Sequence, residues 1–170
     1  KVAIVTGSSS GIGYETSLAL ARDGFYTFAT VRNSKKAEKI IQIAKKENLN
    51  IEIIELDVDD EKSISAAIEK IISKKQRIDV LVNNAGWGLF GSVEDVSMKD
   101  FRAQFETNFF GIISIIQKVA PIMRKQGSGI IVNVSSVAGR IGFPGSAAYI
   151  SSKFALEGLS ESLRYELGQF

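Results

Sequence analysis

Short apolar runs alternate along this chain with longer stretches in which apolar residues return every three or four positions. An unbroken apolar run fits a strand buried on both faces, and the three-to-four period fits a helix with one buried stripe. Val2–Val5 is the first run and ends in Thr6-Gly7. A helix is expected over 12–23, with Ile12, Ala19 and Leu20 on one face and Gly24 as its stop. Tyr26–Val31 reads as the second strand, and a helix from Ser34 puts Ala37, Ile40, Ile41 and Ala44 on one side. The third strand is expected over 51–56. The next helix carries Ile64, Ala67, Ile68, Ile71 and Ile72, and the fourth strand covers 78–82.

A Gly-rich loop over 84–97 then leads into a long helix, 98–125, apolar on more than one side: Phe101, Phe105, Phe109, Ile112, Ile113, Ile116 and Val119. A helix of that kind is covered by more than its own sheet. A fifth strand over 130–134, a loop with Gly139, Gly142, Pro144 and Gly145, and a last helix over Ala147–Leu167 complete the pattern. Repeated strand–helix–strand units with buried strands imply an α/β fold. Its sheet is parallel and doubly wound, of the Rossmann type, with helices on both faces. No linker or repeat divides the chain, so 1–170 is expected to be a single dinucleotide-binding and catalytic domain.

Composition removes several function classes. The chain has no Cys and no His, which excludes disulfides, thiolate metal sites and a Ser-His-Asp hydrolase built from its own residues. No metal site is expected, and acid–base chemistry falls to Tyr, Lys, Asp or Glu. The net charge is only +2. Pairs such as Lys35-Lys36, Lys45-Lys46 and Lys74-Lys75 read as solvated helix faces, so no nucleic-acid partner is expected. No run approaches the roughly 20 apolar residues of a membrane span and no signal peptide is visible, so the default location is cytoplasmic.

The candidate chemistry sits where strands end. Thr6-Gly7-Ser8-Ser9-Ser10-Gly11-Ile12-Gly13 joins the first strand to the first helix. A turn poor in Cβ atoms lets backbone N–H groups approach a pyrophosphate, and the helix directs its positive end at the same charge. An ordinary flexible turn is the plainer reading of such glycines, and position between strand and helix favours the dinucleotide. Asn83-Asn84-Ala85-Gly86 closes the fourth strand, at the crevice side of a parallel sheet, although Asn-Ala-Gly is also plain turn chemistry. Tyr149 and Lys153 are four residues apart on the last helix, hence on one face. Ser136 follows the fifth strand, and Asn108 is a polar amide within the apolar long helix.

Taken together, Thr6-Gly7-x-x-x-Gly11-Ile12-Gly13, Asp57, Asn83-Asn84-Ala85-Gly86, Asn108, Ser136 and Tyr149-x-x-x-Lys153 resemble the short-chain dehydrogenase/reductase family over essentially the whole chain. The resemblance implies a catalytic tetrad of Asn108, Ser136, Tyr149 and Lys153. It implies cofactor contacts from Gly7, Ser9, Ser10, Gly11, Ile12, Gly13, Arg32, Asp57, Val58, Asn83, Ala85, Gly86, Tyr149 and Lys153. Asp57 would meet the adenine, Asn83 would line the cofactor cleft, and Asn108 would hold a water linked to Lys153. Family members run past 200 residues with two further strands and a substrate-covering loop, so the domain is expected to be incomplete at its C-terminal end.

The implied activity is hydride transfer between a nicotinamide cofactor and a carbonyl/alcohol pair. A non-catalytic dinucleotide-binding regulator, or an isomerase or dehydratase of the same family, are the alternatives. Thr30-Val31-Arg32-Asn33 holds no carboxylate to accept from a ribose 2′-hydroxyl, while Arg32 suits a 2′-phosphate, so NADP(H) is expected over NAD(H). The other reading leaves Arg32 in solvent and the site indifferent. Trp87, Leu89, Phe90, Ile141 and Phe143 line an apolar substrate pocket or simply pack on the domain. The stretches 26–33 and 153–158 look like steroid-, retinol- and lipid-type reductases, with 3-oxoacyl carrier-protein reductases close behind. A homodimer or homotetramer is expected through the long helix and the last helix, whose Leu156, Leu159 and Leu163 would meet a symmetry mate.

Overall fold

The computed structural model describes residues 1–170. Five strands, β1 (Val2–Val5), β2 (Tyr26–Val31), β3 (Ile51–Glu55), β4 (Val80–Asn83) and β5 (Ile130–Asn133), form one sheet in the order β3-β2-β1-β4-β5. Every pairing is parallel; Ile4 lies beside Phe28 on one side and Leu81 on the other. A parallel sheet must be covered on both faces. Helices α1 (Gly11–Arg22) and α2 (Glu38–Glu47) cover one face. Helices α3 (Glu61–Lys75), α5 (Gly111–Gln126) and α6 (Ala147–Leu167) cover the other.

The larger core lies under the second group. Ile4, Phe28, Ile54 and Leu81 from the sheet meet Ile64 and Ile71 of α3, Ile115 and Val119 of α5, and Leu156 of α6. Across the sheet, Ala29 and Val31 meet Leu18 of α1 and Ile40 of α2. The chain runs β1, β2, β3 in one direction, then returns to β1's other side for β4 and β5. Strand order therefore reverses between β1 and β4, and a crevice opens beyond their carboxyl ends. No helix is long and apolar enough to cross a membrane.

Four local details differ from the sequence pattern. The inner face of α1 is Gly13, Ser17, Leu18 and Ala21, while Ile12 is exposed. Small residues seat this helix close on the sheet, and Ser17 Oγ donates back to Gly13 O at 2.8 Å. The segment after β2 opens with a 3₁₀ turn, Ser34–Ala37, capped by Asn33 accepting from Lys35 N, before α2 begins. The long helix is not one regular helix: α4 (Met98–Phe105) and α5 are joined by a single π-turn, Glu106–Phe110. Finally, β5 is covered on one face only; Ile130 and Val132 on the other are exposed.

Candidate active site

A cleft of about 730 Å³ runs across the carboxyl ends of the strands. Its floor at one end is the turn after β1. Gly7 takes a positive φ of 70°, as the tight turn requires. Gly13, in the first turn of α1, packs so near the preceding loop that a Cβ there would overlap Gly7 O and the Asn84 amide. Ser10 at the N-cap makes no side-chain cap, which leaves first-turn N–H groups available to an anion. Thr6 fixes this turn to the loop after β4: its Oγ1 accepts from Asn84 N and Ala85 N, both at 2.9 Å.

Of the residues expected at the cofactor, Gly7, Ser9, Ser10, Ile12, Arg32, Asp57, Val58, Ala85, Gly86, Tyr149 and Lys153 line this cleft. Gly11 is exposed in the same turn, and Gly13 lies buried beneath it. Asn83 does not face the cleft. It is buried and donates through Nδ2 to Asn133 Oδ1 at 2.9 Å, bridging β4 to β5. Strand alternation decides this: Asn83 points to the sheet face under α6, where Asn133 in turn donates to Ser160 Oγ, and the next residue, Asn84, lines the cleft instead, donating to Thr6 O at 2.9 Å. Arg32 is exposed and forms no ion pair. Lys36, from the 3₁₀ turn, lines the cleft beside it.

At the other end stand Tyr149 and Lys153, one helical turn apart on α6. The Lys153 ammonium lies 5.8 Å from the Tyr149 ring centroid and donates to Val134 O, just past β5, at 2.8 Å. Burial pushes its pKa below the ordinary lysine value. Ser136 begins the next turn, where its Oγ accepts from Ala138 N at 3.1 Å. Its hydroxyl proton is not used in that bond.

Asn108 lies in the π-turn, completely buried. Such single turns inside α-helices recur at functional sites. Its Nδ2 donates to Trp87 O at 2.9 Å and to Ser152 Oγ at 3.3 Å, and its Oδ1 accepts from Trp87 N at 3.1 Å. Asn108 therefore joins the loop after β4 to the helix that carries Tyr149 and Lys153. Two neighbours on the same helical face escaped the sequence reading: Gln104, which bonds Trp87 O and Leu89 N, and Thr107, which bonds the Trp87 indole. Their signal was available, since positions 104, 107 and 108 are three and four residues apart and form one uncharged polar stripe on the helix.

The arrangement is thus a glycine turn with open helix N–H groups, two exposed cations beyond β2, and a Tyr–Lys pair beyond β5, all on one cleft. The family model for short chain dehydrogenases matches residues 1–170, and the chain belongs to that family. It is similar to the uncharacterized oxidoreductase YusZ of Bacillus subtilis strain 168, with 50% identity over 172 residues, covering 100% of this chain and 61% of that protein. It is 38% identical over 170 residues to a 3-ketodihydrosphingosine reductase of Bacteroides thetaiotaomicron, covering all of this chain and 60% of that one. The structure of a metagenomic short-chain oxidoreductase in complex with NADP superposes with a TM-score of 0.95 at 32% identity, over 99% of this chain and 77% of that one. The chain spans about three fifths of the length of these curated relatives.

Proposed function

We propose that this chain is the cofactor-binding and catalytic part of an oxidoreductase that interconverts a carbonyl and an alcohol with NADP(H). One observation carries the reading: the glycine turn at Gly7 and the Tyr149–Lys153 pair line a single cleft. A bound nicotinamide would supply or accept the hydride. The rest falls to the chain's own side chains. A carbonyl that gains hydride becomes an alkoxide and needs a proton. Tyr149 holds one at its phenol, on the cleft. Lys153 is the cation beside it, its ammonium 5.8 Å from the ring centroid. Ser136, next to the cleft-lining Ser135 but not itself on the cleft wall, has a hydroxyl proton left unused by the bond from Ala138 N–H and would donate it to the substrate oxygen. Asn108 contributes by placement, since its amide is taken up by Trp87 and Ser152.

The preference for NADP(H) rests on Arg32 and Lys36, which line the cleft beyond β2 with no carboxylate bonded to either. A 2′-phosphate would meet two cations there. The substrate is an apolar ketone or alcohol. Phe90 lines the same cleft as Tyr149, exposed Val137, Ile141 and Phe143 lie on the turn and loop between β5 and α6, and one relative is named a 3-ketodihydrosphingosine reductase. A cytoplasmic homodimer or homotetramer completes the reading.

The test is NADPH oxidation by the full-length protein against a panel of ketones. Turnover of apolar ketones is expected. Tight cofactor binding with no turnover of any carbonyl would favour a dinucleotide-binding regulator and overturn the proposal.

A further inference from the structure

The loop after β4 is held by side chains that the chemistry above does not use. Gln104, on α4, is completely buried. A buried amide must find partners for both ends or cost stability. It finds both on one short loop: Oε1 accepts from Leu89 N and Nε2 donates to Trp87 O, each at 2.7 Å. These bonds replace the strand neighbour that the loop lacks. One helical turn on, Thr107 Oγ1 accepts from the Trp87 indole at 3.1 Å and donates to Asp59 Oδ2 at 2.9 Å. Trp87 is therefore held at its N–H, its carbonyl and its indole.

The loop then passes the reacting end of the cleft. A Cβ on Gly88 would stand 3.7 Å from Tyr149 Cδ2, so the backbone runs in near contact with the phenol ring. Phe90 follows on the cleft wall, and Gly91 N donates to Gly145 O at 2.9 Å, fastening the loop's far end to the segment before α6. The loop is a strap tied at both ends across the face of Tyr149, and Gln104 is the tie on the α4 side.

We propose that Gln104 is a positioning residue for substrate specificity: it fixes the Trp87–Leu89 backbone as the wall against which a bulky carbonyl substrate is registered beside Tyr149. This rests on the carbonyl-reducing reading for its substrate, but not for the strap itself. Gln104 touches neither the glycine turn nor Arg32, so its loss should weaken cofactor binding far less than substrate binding.

The experiment uses the full-length protein. Gln104→Met keeps the side chain's length and removes both bonds. It is expected to raise KM for a bulky apolar ketone about tenfold, the loss of two ordinary hydrogen bonds. NADPH affinity by fluorescence titration should stay within about twofold, and kcat should change less than KM. Gln104→Glu keeps the acceptor for Leu89 N and loses the donor to Trp87 O, and should loosen the loop at Trp87 more than at Leu89. Amide hydrogen exchange over residues 86–91 reads the strap without any turnover. The Leu89 amide should be protected in wild type and exposed in Gln104→Met. Free exchange at Leu89 in wild type would overturn the proposal even if neither variant folds. So would an unchanged KM, or equal losses in cofactor and substrate binding. Absence of any carbonyl turnover by wild type would instead refute the functional reading, and the exchange data would still decide the strap.

Discussion

At the scale of single residues, the site turns on which side chains face the cleft. The motif Asn83-Asn84-Ala85-Gly86 was legible, but which Asn faced the ligand was not, because a strand's last residue points one way and the next the other. Tyr149, Lys153 and Arg32 were legible because helix spacing and a strand end fix their positions directly, and Asp57 through the family resemblance. Gln104 was not, since its role depends on a loop folding back over α4. The proposed cofactor preference is a residue-scale claim. With Arg32 and Lys36 on the cleft, kcat/KM should favour NADPH over NADH roughly ten- to hundredfold, the size of charge-assisted hydrogen bonds. Arg32→Asp should reverse the ratio, as steady-state kinetics with both cofactors will read. A ratio near one in wild type would contradict it.

At the scale of elements, alternation of strand and helix was readable along the chain, and boundaries moved by a residue or two except at α2, which begins four residues late behind a 3₁₀ turn, and in the long helix, which a π-turn divides. What periodicity missed was how the helices sit. Apolar counting gave α1 the wrong inner face because close approach to the sheet favours Gly13, Ser17 and Ala21 over bulkier residues. The same contact yields a prediction: Gly13→Ala, whose Cβ would overlap backbone at Gly7, should weaken cofactor binding and lower the thermal midpoint. Calorimetry with and without NADPH would register both. At the opposite end of the sheet, Asp79 joins β4 to β1, accepting from Val2 N at 2.7 Å and from Arg77 Nε at 2.9 Å. The Arg77 guanidinium, with help from Val2 N–H, holds its carboxyl below the usual carboxylate range. A carboxylate with a lowered folded pKa stabilises the fold above its unfolded value near ~4, and that contribution fades as pH falls through the folded value. Asp79→Asn should therefore cost about 1–2 kcal/mol at pH 7. The gap to wild type should close in acid, as urea titrations at pH 7 and pH 3 would show.

At the scale of the whole molecule, the doubly wound sheet was legible because buried parallel strands leave an unmistakable apolar signature. The partner-facing surface was not. Leu156 is fully buried in the chain's own core, and Leu159 and Leu163 pack against it. The outward apolar surface on these helices is a run of aromatic contacts instead, Phe101–Phe105–Phe109–Phe110 with centroids 5.3–6.2 Å apart, together with exposed Met98 and Phe154. That surface is where a self-complementary contact between copies is expected. Phe110→Glu with Phe154→Glu should shift the full-length protein toward monomer in light scattering at micromolar concentration, and a wild-type monomer would refute the assembly. The central claim is that one cleft joins a dinucleotide to a proton-donating phenol, and Tyr149→Phe tests it most directly, because it removes one oxygen and nothing else. The account predicts a loss of carbonyl reduction of at least about a hundredfold, in the range of a general acid, with NADPH affinity within about twofold of wild type. A variant that keeps more than about a tenth of wild-type turnover would contradict it.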